Sequence, residues 1–122
     1  MAGIQALVNQ KVGARQGNPN FVYYSLAAAQ YGTNGDSACN STLGNAVGSS
    51  CIFYDVRQGD NDVPCVDTRT IGANNCYLPS GDYGVLSTSN GAYQPAYGTT
   101  TGWDFATGLG SLNVTNLVNS WP

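Results

Sequence analysis

Four cysteines constrain this chain more than any other feature. Cys39, Cys51, Cys65 and Cys76 all fall in the middle of 122 residues, in a stretch dominated by Gly, Asn, Ser and Thr. That stretch is too long and irregular to hold itself by apolar burial. It needs covalent links or a bound ion. None of the cysteines stands in a C-x-x-C pair, and the chain has no histidine, so a zinc set is weakly supported. Two disulfides are the better use and imply an oxidising compartment, hence a secreted, extracellular protein. Three pairings are open. Cys39–Cys51 and Cys65–Cys76 are favoured, because each closes a short local loop.

Charge excludes other classes. Lys11, Arg15, Arg57 and Arg69 are scattered, against seven acidic residues that are all aspartate. A nucleic-acid groove needs clustered cations, so no nucleic-acid partner is expected. No apolar run approaches the roughly 18 residues of a membrane span, so no membrane partner is expected. Asn40-Ser41-Thr42 and Asn113-Val114-Thr115 match the glycosylation acceptor pattern. The start, MAGIQALVNQK, lacks the basic lead and the apolar length of a signal peptide. The expectation is a removed leader or a piece of a longer chain, with Met1 a start residue added to it.

Helices are expected at both ends. Ile4, Leu7, Val8 and Lys11 fall at helical spacing, and Gly13 offers a stop. Asn18-Pro19 reads as an N-cap followed by proline at the first helical position, opening NFVYYSLAAAQY, which ends at Gly32. Its aromatics Phe21, Tyr23 and Tyr24 are expected in the core or a groove. Residues 32–50 read as a long loop and Cys51–Val56 as a short β-type run. The following stretch is turn-rich, with Pro64 and Pro79 as breakers. Little regular structure is expected over 84–98. Asn113 can cap a last helix whose apolar face is Val114, Leu117, Val118 and Trp121.

Much chemistry is excluded by composition. Ser-His-Asp and Cys-His sites need a histidine base. Lys11 is the only lysine, with no serine within the next turn. Asp67-Thr68-Arg69 breaks the aspartic-peptidase triplet at its glycine. The run from Asp60 lacks the glycine and glutamate of an EF-hand. For Asp36, Asp60, Asp62 and Asp82 the expected role is turn bonding to their own loops. Pairing of Asp60 or Asp62 with Asp55 or Asp104 stays open.

Asp55 and Asp104 stand apart. Asp55 follows the apolar run Ile52-Phe53-Tyr54, and Asp104 follows Trp103 in the Gly/Thr stretch TTTGWDFATGLG. A carboxylate in apolar surroundings needs hydrogen-bond donors or a cation. Calcium fits, because it takes about six to eight oxygens, many of them backbone carbonyls. A Gly/Thr turn can aim alternate carbonyls at one point.

The segments AGIQALVNQK, IFYDV, GWDFATGLG and NLV resemble, in order and spacing, the C-terminal part of the sedolisin family. These are secreted serine-carboxyl peptidases of subtilisin-like fold. The resemblance covers nearly the whole chain. It implies an α/β fold, here a fragment with two N-terminal helices, short strands, long disulfide- and calcium-stabilised loops and a C-terminal helix, as a single domain over 1–122. It also implies one structural Ca2+ held by the carboxylates of Asp55 and Asp104 and by the carbonyls of Val56, Thr100 and Gly102. Thr100 stands where the family often has glycine. The family's nucleophile lies in a Gly-Thr-Ser segment upstream of the AGI helix, with its acidic partners further upstream, and none of these is in this sequence. The resemblance thus implies a calcium-binding tail without catalytic residues, whose partner is the parent catalytic segment. The apolar face of residues 4–8 is then expected to be covered by self-association or local rearrangement.

Two other readings compete. One is a small hydrolase using aspartates or a bound metal on a peptide, ester or glycoside. The other is a secreted carbohydrate- or protein-binding module with Tyr83, Tyr93 and Tyr97 as stacking surfaces.

Overall fold

The N-terminal helix forms where its periodicity places it. In the computed structural model, which describes residues 1–66, 75–81, 83–89 and 91–122, helix α1 spans Ala2–Val12. It ends at Gly13, whose N–H bonds back to the Asn9 carbonyl at 2.9 Å. Val8 is fully buried and Ile4 packs beside it, whereas Leu7 remains exposed. The apolar face of residues 4–8 is therefore partly covered within the chain.

Helix α2 spans Asn20–Tyr31. Pro19, not Asn18, occupies the N-cap position and no side chain caps the helix, which corrects the expected Asn18 cap; Asn18 Oδ1 accepts from the Asn20 N–H at 3.2 Å just ahead of it. Tyr23, Ala27 and Tyr31 recur every four residues and form the buried face. The expectation for the aromatics is met unevenly. Tyr23 is core and Tyr24 lines a groove, but Phe21 points to solvent.

Residues 32–50 contain two short 3-10 turns, Ser37–Cys39 and Ser41–Ala46, where only loop was expected. Asp36 and Asn40 start them. Their side-chain oxygens accept from the Ala38 N–H at 2.9 Å and the Thr42 N–H at 3.0 Å.

Five strands follow among the described residues: β1 Phe53–Tyr54, β2 Pro64–Val66, β3 Cys76–Ser80, β4 Tyr83–Leu86 and β5 Ser111–Leu112. β1 pairs antiparallel with β5, setting Phe53 against Leu112. The other three form an antiparallel sheet in the order β2-β4-β3. That sheet corrects the expectation of irregular chain here. Pro64 and Pro79 sit on its two outer strands, where a missing N–H costs no central ladder bond. Cys65–Cys76 joins these outer strands, and Cys39–Cys51 closes the 3-10 segment onto the start of β1. Asp67, Arg69 and Asp82 lie outside the described residues.

Helix α3 spans Val114–Ser120 and is capped by Asn113, whose Oδ1 accepts from the Asn116 N–H at 3.0 Å. It packs on α1. Lys11 Nζ donates to the carbonyls of Val118 and Asn119, placing a cation at the negative end of α3. Trp121 folds back, meets the Tyr23 ring edge-on at 5.1 Å and donates from Nε1 to Gln16 Oε1. The core is thus Val8, Tyr23, Ala27, Tyr31, Phe53, Leu117 and Trp121, drawn from all three helices and β1. The result is a mixed helix-and-strand domain with two small antiparallel sheets.

Candidate functional site

Asp55 leaves the end of β1 and is completely buried. Its backbone is fixed by the first disulfide loop. The Asp55 N–H donates to the Cys39 carbonyl and the Asp55 carbonyl accepts from the Ser41 N–H, both at 2.8 Å. The Cys39–Cys51 bond holds that loop against the strand. The disulfide therefore acts on the position of this carboxylate.

Asp104 is buried at the head of a tight turn. Its N–H and carbonyl exchange hydrogen bonds with Gly108 at 3.1 and 3.0 Å. Oδ1 accepts from the Ala106 N–H at 3.0 Å, the Thr107 N–H at 2.7 Å and the Thr107 hydroxyl at 3.1 Å. Oδ2 accepts from the Thr100 N–H at 3.0 Å. Burial alone pushes this carboxyl up. The donors of Thr100, Thr107 and Ala106 outweigh burial and hold it below the usual carboxylate range. A group so held is a poor general acid.

The two carboxylates meet on one turn. While Thr100 donates to Asp104, Gly102 N–H donates to both oxygens of Asp55, at 3.2 and 3.0 Å, across 47 residues of chain. The segment 100–104 thus bridges Asp55 and Asp104. Tyr31 of α2 backs it. Its ring lies 3.9 Å from where a Gly102 Cβ would stand, and its hydroxyl donates to the Leu109 carbonyl at 2.8 Å. Burial raises the Tyr31 hydroxyl strongly, and Asp55 adds to the rise, so it stays a neutral donor.

Arg57 completes the cluster. Its Nε lies 2.6 Å from Asp55 Oδ2, and its Nη2 donates to the Asp36 carbonyl at 3.1 Å. This ion pair was not foreseen from the sequence. The only hint was a cation two residues after a carboxylate, and nothing local says whether such a cation turns inward.

All four oxygens of the two carboxylates accept hydrogen bonds within the chain. Hydrogen bonds link four of the five expected ligand residues in two pairs, Gly102 with Asp55 and Thr100 with Asp104, through N–H groups rather than the expected carbonyls, and Val56 adjoins Asp55. Among the described residues the carbonyls of Val56, Thr100 and Gly102 accept no hydrogen bond. No three His, Cys, Asp or Glu side chains gather at a metal-holding distance among the described residues. A cation here must therefore draw on backbone oxygens, as calcium does and zinc does not.

The remaining aspartates do other work. Asp60 accepts from the Asp62 N–H and the Tyr93 hydroxyl, and Asp62 accepts from the Tyr97 N–H at 2.8 Å. They tie the 59–62 turn to the 93–99 loop, and no contact joins them to Asp55 or Asp104 among the described residues. Asp36 caps its 3-10 turn as expected. Tyr83, Tyr93 and Tyr97 are exposed. Buried Ser87 is no nucleophile. Its oxygen bonds the backbone of Ala92 and Gln94 and accepts from Ser89 and Gln94 N–H groups, pinning a loop.

No protein-family model, no curated protein and no solved structure matches this chain. Its reading rests on its own residues. Two disulfides, with no described helix long and apolar enough to cross a membrane, are compatible with an extracellular protein.

Proposed function

We propose that this chain is the calcium-binding C-terminal part of a secreted sedolisin-like serine-carboxyl peptidase, a stabilising segment without catalytic residues of its own. One observation carries the reading. Two buried carboxylates from distant parts of the chain converge on the single Gly/Thr turn 100–104, which hydrogen-bonds both. Asp55 and Asp104 would supply charge to the ion, and Val56, Thr100 and Gly102 would supply carbonyls. Calcium supplies positive charge that cross-links β1 to the turn.

Charge leaves a place for an ion. Arg57 meets Asp55, while buried Asp104 carries its charge on the donors of Thr100, Ala106 and Thr107, with no cation among its described contacts. On this reading the helices and short strands are a fragment of a subtilisin-like fold. The chain acts beside the catalytic segment that carries the nucleophile. Exposed Leu7 on α1 belongs to a face that the partner segment, or a second copy, would cover.

The test is thermal unfolding in calcium and then in excess chelator, for the native chain, Asp55→Asn and Asp104→Asn. An ion bound only by the folded state raises the melting temperature with concentration. The expected result is a calcium-dependent rise that both variants lose. A cooperative transition that calcium leaves unmoved would reject the reading.

A further inference from the structure

Asp55 already has a cation. Arg57 Nε sits 2.6 Å from Asp55 Oδ2, with the Arg57 side chain 20% exposed and that of Asp55 only 1% exposed. Its Nη2 also holds the Asp36 carbonyl. The loop beneath is tightly built around this arm, since a Cβ on Gly35 would stand 2.9 Å from Arg57 Nη2 and 2.2 Å from Thr101 Cγ2. The guanidinium is therefore seated between the 33–36 loop and the 100–104 turn, on the carboxylate a metal would need.

Charge makes the two cations exclusive. Asp55, Asp104 and Arg57 sum to one negative charge. A divalent ion added to all three would leave a net positive charge in a buried site, whereas the ion with the two carboxylates alone is neutral. Like charges in poorly solvated surroundings repel strongly. Arg57 reaches the site from the partly exposed side, so its head can leave into water while its stem stays in place.

We propose that Arg57 is a built-in counter-cation that competes with a divalent metal ion for Asp55. It holds the bridge between β1 and the 100–104 turn when no metal is bound. It also sets the metal concentration at which the site fills, because binding must first displace it. The inference rests on the calcium reading and adds to it an affinity-setting residue outside the ligand set.

The experiment is calcium titration by calorimetry, with melting temperature in chelator, for the native chain, Arg57→Gln and Arg57→Lys. A charge-assisted hydrogen bond given up on binding corresponds to a loss of about tenfold or more in affinity. Arg57→Gln is therefore expected to bind calcium about tenfold or more tightly and to melt lower in chelator, with Arg57→Lys between it and the native chain. Unchanged or weaker binding by Arg57→Gln overturns the proposal. If Arg57→Gln is unfolded in chelator, recovery of its circular dichroism by calcium supports the proposal. If it stays unfolded, Arg57→Lys decides: tighter binding than the native chain supports, equal binding overturns. A native chain that shows neither binding heat nor a melting shift rejects the calcium reading itself, and the competition with it.

Discussion

The side-chain amide of Gln30 satisfies both backbone groups of Phe53. Its Nε2 donates to the Phe53 carbonyl at 2.7 Å, and its Oε1 accepts from the Phe53 N–H at 3.0 Å and the Ile52 N–H at 2.7 Å. A residue of α2 thus takes the place of a neighbouring strand on the free edge of β1, next to the segment that presents Asp55.

Replacing Gln30 by Leu keeps the volume and removes the clamp. Each buried backbone group left unpaired costs about 1–3 kcal/mol, and partial relaxation limits the sum to roughly 2–4 kcal/mol. Urea unfolding should show a lowered midpoint with an unchanged slope. A loss within about 0.5 kcal/mol, the range of neutral surface substitutions, would show that water replaces the clamp.

Gly110 and Gly108 make a matched pair. Both have positive φ, at 84° and 65°, but a Cβ on Gly110 would stand 2.2 Å from the Tyr54 carbonyl oxygen, whereas Gly108 has nothing within 4 Å. Gly108→Ala should cost about 1 kcal/mol from backbone strain alone. Gly110→Ala should cost more than about 2 kcal/mol, because β1 must also shift. Equal losses in chemical denaturation would contradict the close approach of β1 to this turn.

Acid should weaken the fold through Asp104. Its folded-state carboxyl titrates below the usual carboxylate value, with donors outweighing the burial that would raise it. The stabilisation is therefore present above the unfolded value of about 3.9 and is lost as pH falls through the folded one. Asp104→Asn removes the titration. It also sets an amide group against the Thr100 N–H, so the variant should be weaker at neutral pH and lose less between about pH 4 and pH 2. A native chain and variant whose melting temperatures fall in parallel over that range would place the acid sensitivity elsewhere.

Local signals account for what was legible. The Gly13 stop of α1 and the Asn113 cap of α3 each act within one helical turn and both stand in the structure, whereas the expected Asn18 cap of α2 gives way to Pro19. Asp55 and Asp104 were legible as candidates because a carboxylate beside Phe53-Tyr54 or Trp103 stands among apolar neighbours, although the structure gives each a local partner, Arg57 for Asp55 and Thr100, Ala106 and Thr107 for Asp104. The β2-β4-β3 sheet was not legible. Its prolines look like breakers until pairing puts them on outer strands, and strand pairing is a long-range event.

The sequence by itself determined the helices, the Gly13 stop and the Asn113 cap, the oxidising chemistry of the cysteines and the two odd carboxylates. These follow from backbone dihedrals, short-range hydrogen bonds and the cost of an unpartnered charge. Only the tertiary structure decided that one turn bridges Asp55 to Asp104, that Gln30 stands in for a strand, and that Arg57 turns inward rather than out. Each of these depends on burial created by residues far away in the chain, and burial is what makes one partner outcompete water.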